Sequence, residues 1–478
     1  MDFVLEIVQY VINNLILLIT LFLFTTYVIL AIISAVALRR YLRQNGYVDY
    51  NSIILTPLSP TVSVIAPAFN EEKTIVDNIR ALLSLYYNNF EVIVVNDGSQ
   101  DDTFTKIVQA YDLEKVNYFF DYRIPCERIL GIYKSKNRSF KRLTVINKIN
   151  GGKSDALNAG INISKNQLIC CIDVDSIMEP DALLKMVKPF MEETNRKVIG
   201  TGGVIRIANS CEIEGGQIVG IKLPKKFLPR VQVLEYTRAF LMSRMAWGRL
   251  NGLLIISGAL GMFDKEIVIK CGGYSVATVG EDMELVVRMR RYMLEQKLDY
   301  TLKYIPDPLV WTQVPSNFKM LGRQRNRWTR GTIETLILHK ILFLNPKYKI
   351  LGMLSYPYWM IFEWLSPIIE FLGLVYFGLL IIFGQPNWSF FLLLLVFVYT
   401  FAISMSTWAV LFEELTFHKY KSRREVLKLV FTGFLEPLFF HPFTVFWSVC
   451  GNIDYLRGKR AWGKMEKEGF SSRVKKSK

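Results

Sequence analysis

From Val11 to Leu38 the chain carries no charged side chain, a run longer than the roughly 20 residues with which an α-helix crosses a bilayer. It is too long for the core of a signal peptide, acidic residues precede it, and no small-x-small cleavage site follows, so the helix is expected to stay in place. Arg39, Arg40 and Arg43 come next. Basic residues are retained on the cytoplasmic side of a membrane, so the chain is expected to enter the cytoplasm there.

The composition agrees with a partly lipid-embedded protein. Of 478 residues 51% are hydrophobic and only 21% charged, low for a soluble chain of this length, which excludes a disordered or fibrous protein. The 58 Lys and Arg outnumber the 42 Asp and Glu, for a formal net charge of +16. Two readings of that excess stand: juxtamembrane anchors facing anionic lipid, or cations that receive phosphates. Nucleic acid is not expected as a partner, since no recognition module is evident. The six cysteines (Cys126, Cys170, Cys171, Cys211, Cys271, Cys450) show no C-x-x-C spacing, so neither a disulfide framework nor a zinc site is indicated. With only His339, His418 and His441, all in or beside the apolar C-terminal third, a general base is expected to be a carboxylate.

Between residues 41 and 347 short apolar runs alternate with amphipathic stretches, the βαβ pattern of a parallel sheet. Residues 62–67, 91–96, 144–147 and 167–173 are the clearest strands. Residues 348–456 return to lipid-like composition. Leu351 to Gly384 and Trp388 to Phe412 are two long apolar runs divided by Gln385, Pro386 and Asn387; the first, carrying Glu363 and Glu370, is expected to begin at the interface. A loop with Lys419, Lys421, Arg423 and Arg424 is expected in the cytoplasm. Val426 to Cys450 is interrupted by Pro437 and Pro442, and a full crossing would put the basic tail, residues 457–478, outside. A broken, re-entrant or interfacial segment satisfies both constraints. The expected layout is a membrane helix (1–40), a cytoplasmic α/β domain (41–347), membrane and interfacial helices (348–456) and a basic cytoplasmic tail (457–478).

In open α/β sheets ligands bind at the carboxyl ends of strands, and there the chemistry-bearing residues gather. The first strand ends in Asn70, Glu71 and Glu72, the next in Asn96-Asp97-Gly98-Ser99. Asp97 either accepts from a nucleobase or ribose, or starts a turn and caps the following helix. Asp173-Val174-Asp175 ends a wholly apolar strand, where alternation would put both carboxylates on one side; two hard oxygen ligands suit Mg2+ or Mn2+ held jointly with substrate phosphates. Gly151-Gly152-Lys153-Ser154 opens a helix without the spacing of a Walker A loop; it holds a diphosphate or is a plain loop and cap. Glu281-Asp282-Met283-Glu284 begins a helix that carries Arg288, Arg290 and Arg291. These acids complement the helix dipole, and with no usable histidine Asp282 is also the candidate base. Gln324 and Arg327, three apart, share a helix face next to Trp328. An arginine clamps phosphate and a tryptophan offers a stacking face, unless the cluster is a membrane belt.

Taken in order, Asn96-Asp97-Gly98-Ser99, Asp173-Val174-Asp175, Gly280-Glu281-Asp282 and Gln324 to Trp328 resemble the motifs of membrane-bound, processive family 2 inverting glycosyltransferases, the cellulose, hyaluronan, chitin and poly-N-acetylglucosamine synthases. The resemblance spans nearly the whole chain. It implies a GT-A (Rossmann-like) α/β domain inserted between transmembrane helices. Asp97 would bind the uridine part, Lys153 the diphosphate, and Asp173 and Asp175 ribose, diphosphate and metal, with Asp175 the metal ligand. Asn70 and Glu72 join the substrate-binding set. Asp282 would be the base, with Glu281 beside it in the catalytic motif. Gln324 and Arg327 would hold the leaving diphosphate and Trp328 would stack on the acceptor sugar, while Ser257 to Gly261, with Gly258, matches the acceptor cradle. Two departures are visible: G-E-D replaces the family's T-E-D, and no PilZ-like extension follows to suggest cyclic-di-GMP control. The segment Gly458 to Met465 resembles bacterial members of uncertain product.

The expected activity is transfer of a hexose or N-acetylhexosamine from a UDP-sugar to the growing end of a β-linked polysaccharide, with Mg2+ or Mn2+. The expected place is the cell (inner) membrane, multi-pass with a cytoplasmic catalytic domain. Expected partners are the UDP-sugar donor, the glycan acceptor, the bilayer and an accessory export subunit. Two rivals remain: transfer of one sugar to a lipid, and a non-catalytic transport or scaffold subunit that keeps the fold.

Overall fold

The apolar runs of the middle segment bury both faces, and this requires a sheet covered by helices on each side. In the computed structural model, which describes residues 2–46, 48, 50–56, 58–383, 386–420 and 422–459, twelve strands are present. They are β1 (Val62–Ala68), β2 (Phe90–Asp97), β3 (Leu113–Val116), β4 (Ile129–Ser135), β5 (Leu143–Lys148) and β6 (Leu168–Ile172). After them come β7 (Ile177–Met178), β8 (Lys197–Ile207), β9 (Glu212–Glu214), β10 (Gln217–Gly220), β11 (Leu260–Asp264) and β12 (Tyr300–Thr312). Gln385, Lys421 and the tail from residue 460 onward lie outside the described residues.

Ten strands form one sheet in the order β3-β4-β5-β2-β1-β6-β11-β8-β12-β7, and β9 with β10 makes a separate hairpin. The four expected strands are β1, β2, β5 and β6, side by side and parallel. The sheet is mixed rather than purely parallel, because β11 runs antiparallel between β6 and β8. From β1 the chain adds β2 and β5 on one side and then β6 on the other. That reversal opens a crevice at the carboxyl ends, the place where such sheets take ligands. Every residue of β6 is buried, since strands flank it on both edges.

Among the described residues three helices are long and apolar enough to cross a membrane: Gln9–Asn45, Leu351–Ile382 and Trp388–Thr416. The second starts as wide π-helical turns at Leu351–Ser355 and Trp359–Leu365 before it becomes regular at Ser366. Leu351, Tyr356, Tyr358, Trp359 and Phe362 are buried there, so this first part packs inside the protein. The last apolar stretch is a pair of helices, Arg423–Phe439 and His441–Leu456, bent by 48°. Pro437 lies inside the first helix and does not break it. The break falls at Phe440, and Pro442 opens the second helix, where its missing N–H costs nothing.

Buried ion pairs tie the sheet to these helices. Arg206 on β8 meets Glu413 near the end of the 388–416 helix, both almost fully buried. Arg238 grips Glu436 of the 423–439 helix with both terminal nitrogens, and Ser406 joins them. At the end of the first helix the Tyr41 hydroxyl donates to Asp307 on β12, which also pairs with Lys185 at 3.2 Å. Removing one partner of a buried pair strands the other charge. Arg206→Leu is therefore expected to cost about 3–5 kcal/mol and Arg206→Leu with Glu413→Leu distinctly less, read as melting temperatures of the detergent-purified protein.

Candidate active site

Each strand of the parallel block delivers polar groups to the crevice, and a loop after β5 gathers them. Asp97 ends β2 and is buried. Its Oδ1 accepts from Lys148 Nζ at 2.6 Å and from the Gly151 amide at 3.0 Å, and its Oδ2 accepts from the Gly152 amide at 2.8 Å. The Asn150 side chain also donates to the Asp97 carbonyl at 2.7 Å. Lys148, at the end of β5, has no exposed surface and pairs as well with Asp155 at 2.5 Å. The Asp97 carboxylate thus holds the turn that launches the Lys153–Ile163 helix. Gly152 makes that turn at φ +88°, a conformation that favours glycine.

Asn70 and Glu72 serve the neighbouring turn. Asn70 accepts from the Gln100 amide at 2.8 Å, and its own amide donates to the Ser99 hydroxyl at 3.0 Å. Glu72 pairs with Lys106 at 3.3 Å. Asn70 thus fastens the end of β1 to the turn after β2, and Glu72 fastens it to the Thr103–Tyr111 helix that follows.

Lys153, the first residue of its helix, reaches across the crevice. Its ammonium lies 2.5 Å from Asp173 Oδ1, 3.7 Å from Glu281 Oε1 and 3.3 Å from the Gly258 carbonyl. Burial opposes its charge, but the carboxylates of Asp173 and Glu281 outweigh burial and hold its pKa above the usual lysine range. Asp173 and Asp175 stand beyond the end of β6, in a turn, so strand alternation does not set their directions. The turn is fixed by the Ser176 amide on the Asp173 carbonyl at 2.9 Å and by Asn78 on the Val174 carbonyl at 2.7 Å.

On the far wall Glu281 and Asp282 open the Glu281–Glu295 helix. The half-buried Asp282 accepts from the Gly258 amide at 2.9 Å through Oδ2 and from the Met283 amide at 2.8 Å through Oδ1. Gly258 therefore touches both Lys153 and Asp282. Burial pushes the Glu281 carboxyl up to about 7, against the pull of Lys153; Asp282 adds to the rise and Arg327 opposes it. That influence places Arg327 near Glu281, on the Phe318–Leu338 helix that also bears Gln324 and Trp328. The Gln324 Oε1 is buried and accepts no hydrogen bond within the protein. Trp328 is 41% exposed, with the Arg325 guanidinium 4.3 Å from its ring centroid.

The structure brings Lys153, Asp173, Gly258, Glu281 and Asp282 into one cluster, with Arg327 at its edge. Asn70, Glu72 and Asp97 act one layer behind it, on the backbone that shapes it. Sequence reasoning missed Lys148 and Asp155, whose only signal is a lone lysine ending an apolar strand. Among the described residues no three His, Cys, Asp or Glu side chains converge as a metal cage. Asp173 and Asp175 are hard oxygen donors of the kind that Mg2+ or Mn2+ takes together with ligand phosphates, and Asp173 Oδ1 is here paired with Lys153.

Comparison with known proteins gives the family. The family model described as glycosyl transferase family 2 matches residues 63–122, and that of glycosyl transferase family group 2 matches residues 168–403. A poly-beta-1,6-N-acetyl-D-glucosamine synthase of Staphylococcus epidermidis is 26% identical over 276 residues, 58% of this chain and 55% of that protein. A probable glycosyltransferase of Bacillus subtilis, YdaM, is 28% identical over 295 residues, 61% of this chain and 59% of that protein. The chain thus spans little more than half the length of these relatives. Among solved structures, a mannosyltransferase of Pyrobaculum calidifontis in complex with GDP-Man and Mn2+ shares the fold. Its TM-score is 0.50 at 14% identity, covering 91% of this chain and 99% of that one. The two family models together take in more than half of the chain and both walls of the crevice, and the chain belongs to glycosyltransferase family 2.

Proposed function

We propose that this family 2 glycosyltransferase passes a hexose or N-acetylhexosamine from a UDP-sugar to the growing end of a β-linked polysaccharide at the membrane, coupled to export. The observation that carries the reading is the placement of Asp282. Its carboxylate is half-buried at a helix start and fixed by the Gly258 amide, across a gap that Lys153 bridges to Asp173. A base and a phosphate-binding cation on opposite walls are what an in-line displacement needs. The poly-beta-1,6-N-acetyl-D-glucosamine synthases among the relatives support a polysaccharide product, and N-acetylglucosamine is the first sugar to try.

In this account the acceptor hydroxyl gives its proton to Asp282 as its oxygen bonds to the anomeric carbon. The bond from that carbon to the diphosphate oxygen breaks, and UDP leaves with the bonding pair. Attack from the face opposite the leaving group inverts the configuration, so an α-linked donor yields a β linkage. Lys153 and Arg327 offset the charge that builds on the departing diphosphate. Gln324 offers its orphaned Oε1 to a sugar or acceptor hydroxyl, and Trp328 gives an exposed stacking face. A Mg2+ or Mn2+ ion held at Asp175 and Asp173 would supply further charge neutralisation at the diphosphate. The Gln9–Asn45, Leu351–Ile382 and Trp388–Thr416 helices would hold the enzyme in the cell membrane with the crevice on the cytoplasmic side, where basic Arg39, Arg40 and Arg43 mark the entry.

Two outcomes follow from this reading. Purified protein should release UDP from UDP-N-acetylglucosamine or UDP-glucose with Mg2+ or Mn2+ and not with chelator. Asp282→Asn should lower that rate by about 10²–10⁴-fold, and full activity of Asp282→Asn would refute the base assignment. Glu281 yields a pH test. The unfolded carboxyl ionises near its ordinary 4.5, the folded one near 7. The folded state binds this proton more tightly, so the stability it contributes is complete at low pH and is lost as pH rises through the folded value. Relative to Glu281→Gln, the wild-type melting temperature should therefore fall between about pH 5 and about pH 8.

A further inference from the structure

Asp282 sits on one helix and Gln324 and Arg327 on another, so catalysis in the reading above requires that the two keep register. The Phe318–Leu338 helix carries Gln324 and Arg327, and one stripe continues at helical spacing through Gly331 to Glu334. That stripe meets the segment entering the Glu281–Glu295 helix. Glu334 Oε2 accepts from the Thr278 hydroxyl at 2.7 Å and from the Val279 amide at 2.9 Å. The Thr278 hydroxyl in turn accepts from the Gly280 amide at 3.1 Å. Beside them the backbones touch: a Cβ on Gly280 would lie 2.7 Å from the Gly331 Cα, and a Cβ on Gly331 would lie 2.7 Å from the Gly280 Cα. A threonine at position 280 would therefore meet the Gly331 backbone in this chain. Farther along, buried His339 and Glu284 meet at 3.3 Å, and Arg288 holds the same carboxylate at 2.7 Å.

We propose that Glu334 is a positioning residue, which clamps Thr278, Val279 and Gly280 so that Asp282 stays in register with Gln324 and Arg327. A carboxylate that accepts from a hydroxyl and a backbone amide on one segment fixes both its distance and its rotation. The neighbouring Gly280–Gly331 contact leaves no room for the segment to slide inward, so releasing Glu334 lets it move only outward, away from the acceptor side. Asp282 lies three residues beyond Val279, and small displacements of a base are costly in rate. Asp97, Lys153 and Asp173 stand on other elements, and Lys153 is held closer by Asp173, at 2.5 Å, than by Glu281, at 3.7 Å, so the donor side follows the joint least.

The inference rests on the glycosyl-transfer reading given above, and its test separates the two. In UDP-release assays Glu334→Ala is expected to lower kcat by about 10-fold while donor KM stays within about 2-fold. Glu334→Gln, whose Oε1 still accepts from Thr278 and Val279, is expected to stay within about 2-fold of wild type on both. Wild-type kcat in Glu334→Ala, an equal fall in Glu334→Gln, or a donor KM that rises as kcat falls would each overturn the proposal. Should Glu334→Ala not fold, Thr278→Val removes one of the two donors and is expected to lower kcat by about 3-fold with donor KM unchanged; no change would overturn it. A wild-type protein that releases no UDP refutes the activity and leaves the joint to amide exchange at Val279. Faster exchange in Glu334→Ala, or in Thr278→Val, than in wild type and Glu334→Gln supports the clamp, and equal exchange in all overturns it.

Discussion

One ammonium group holds the site together. Asp173 arrives from the end of β6, Glu281 from the start of a helix, and Gly258 from the loop before β11, and Lys153 is the group they share. Without it two carboxylates, one almost fully buried, would lose the cation they share, and an unpaired buried carboxylate is driven to protonate. Lys153 is itself placed from behind. Asp97 and Lys148 grip the turn at Gly151 and Gly152, so the buried pair at the ends of β2 and β5 sets where the ammonium points. The charge network is thus two layers deep: an inner pair that shapes backbone and an outer set that, in the proposed reading, would meet the ligand.

The second constraint is where the acceptor-side helix rests. The Phe318–Leu338 helix lies against His441–Leu456, where Gly322 leaves space for the Trp447 indole and Gly451 for Thr329. Asn326 bonds Asp454 at 3.0 Å, and Arg330 donates to the Lys459 carbonyl at 2.7 Å. The bent C-terminal pair therefore serves as the seat for Gln324, Arg327 and Trp328. Arg238 with Glu436 and Arg206 with Glu413 fasten that seat and the long 388–416 helix to the rest of the chain. The Gln324 to Trp328 side of the crevice is in this way built on the apolar helices and the Asp97 to Lys153 side on the sheet, an arrangement that would suit the proposed release of a growing chain beside the membrane.

Much of this was legible from residue order, and the parts that were not have a common cause. β1, β2, β5 and β6 announce themselves because strands covered on both faces read as unbroken apolar runs, and the polar turns at their ends mark the crevice. Antiparallel β11 was not visible, since an apolar strand of five residues carries no sign of its direction. The partner of a buried charge is equally hidden: Lys148 meets Asp97 from 51 residues away, and nothing near either residue in sequence foretells it. Asp97 reads in sequence either as a nucleoside acceptor or as the start of a turn, and only the fold reveals its bonds to the Gly151 and Gly152 amides. Pro437 looked like a breaker, yet the helix continues through it to Phe439 and breaks at Phe440. Glu334 reads as an ordinary helical acid until the fold lays Thr278 and Val279 against it.

The central claim is that this chain extends a glycan, and the length of the product tests it most directly. Purified enzyme at a low ratio to acceptor, supplied with radiolabelled UDP-N-acetylglucosamine or UDP-glucose, would be stopped early in turnover and its products sized by gel filtration. The account predicts that label appears in long β-linked chains while most acceptor is still unextended. Label confined to a lipid bearing one sugar would contradict it.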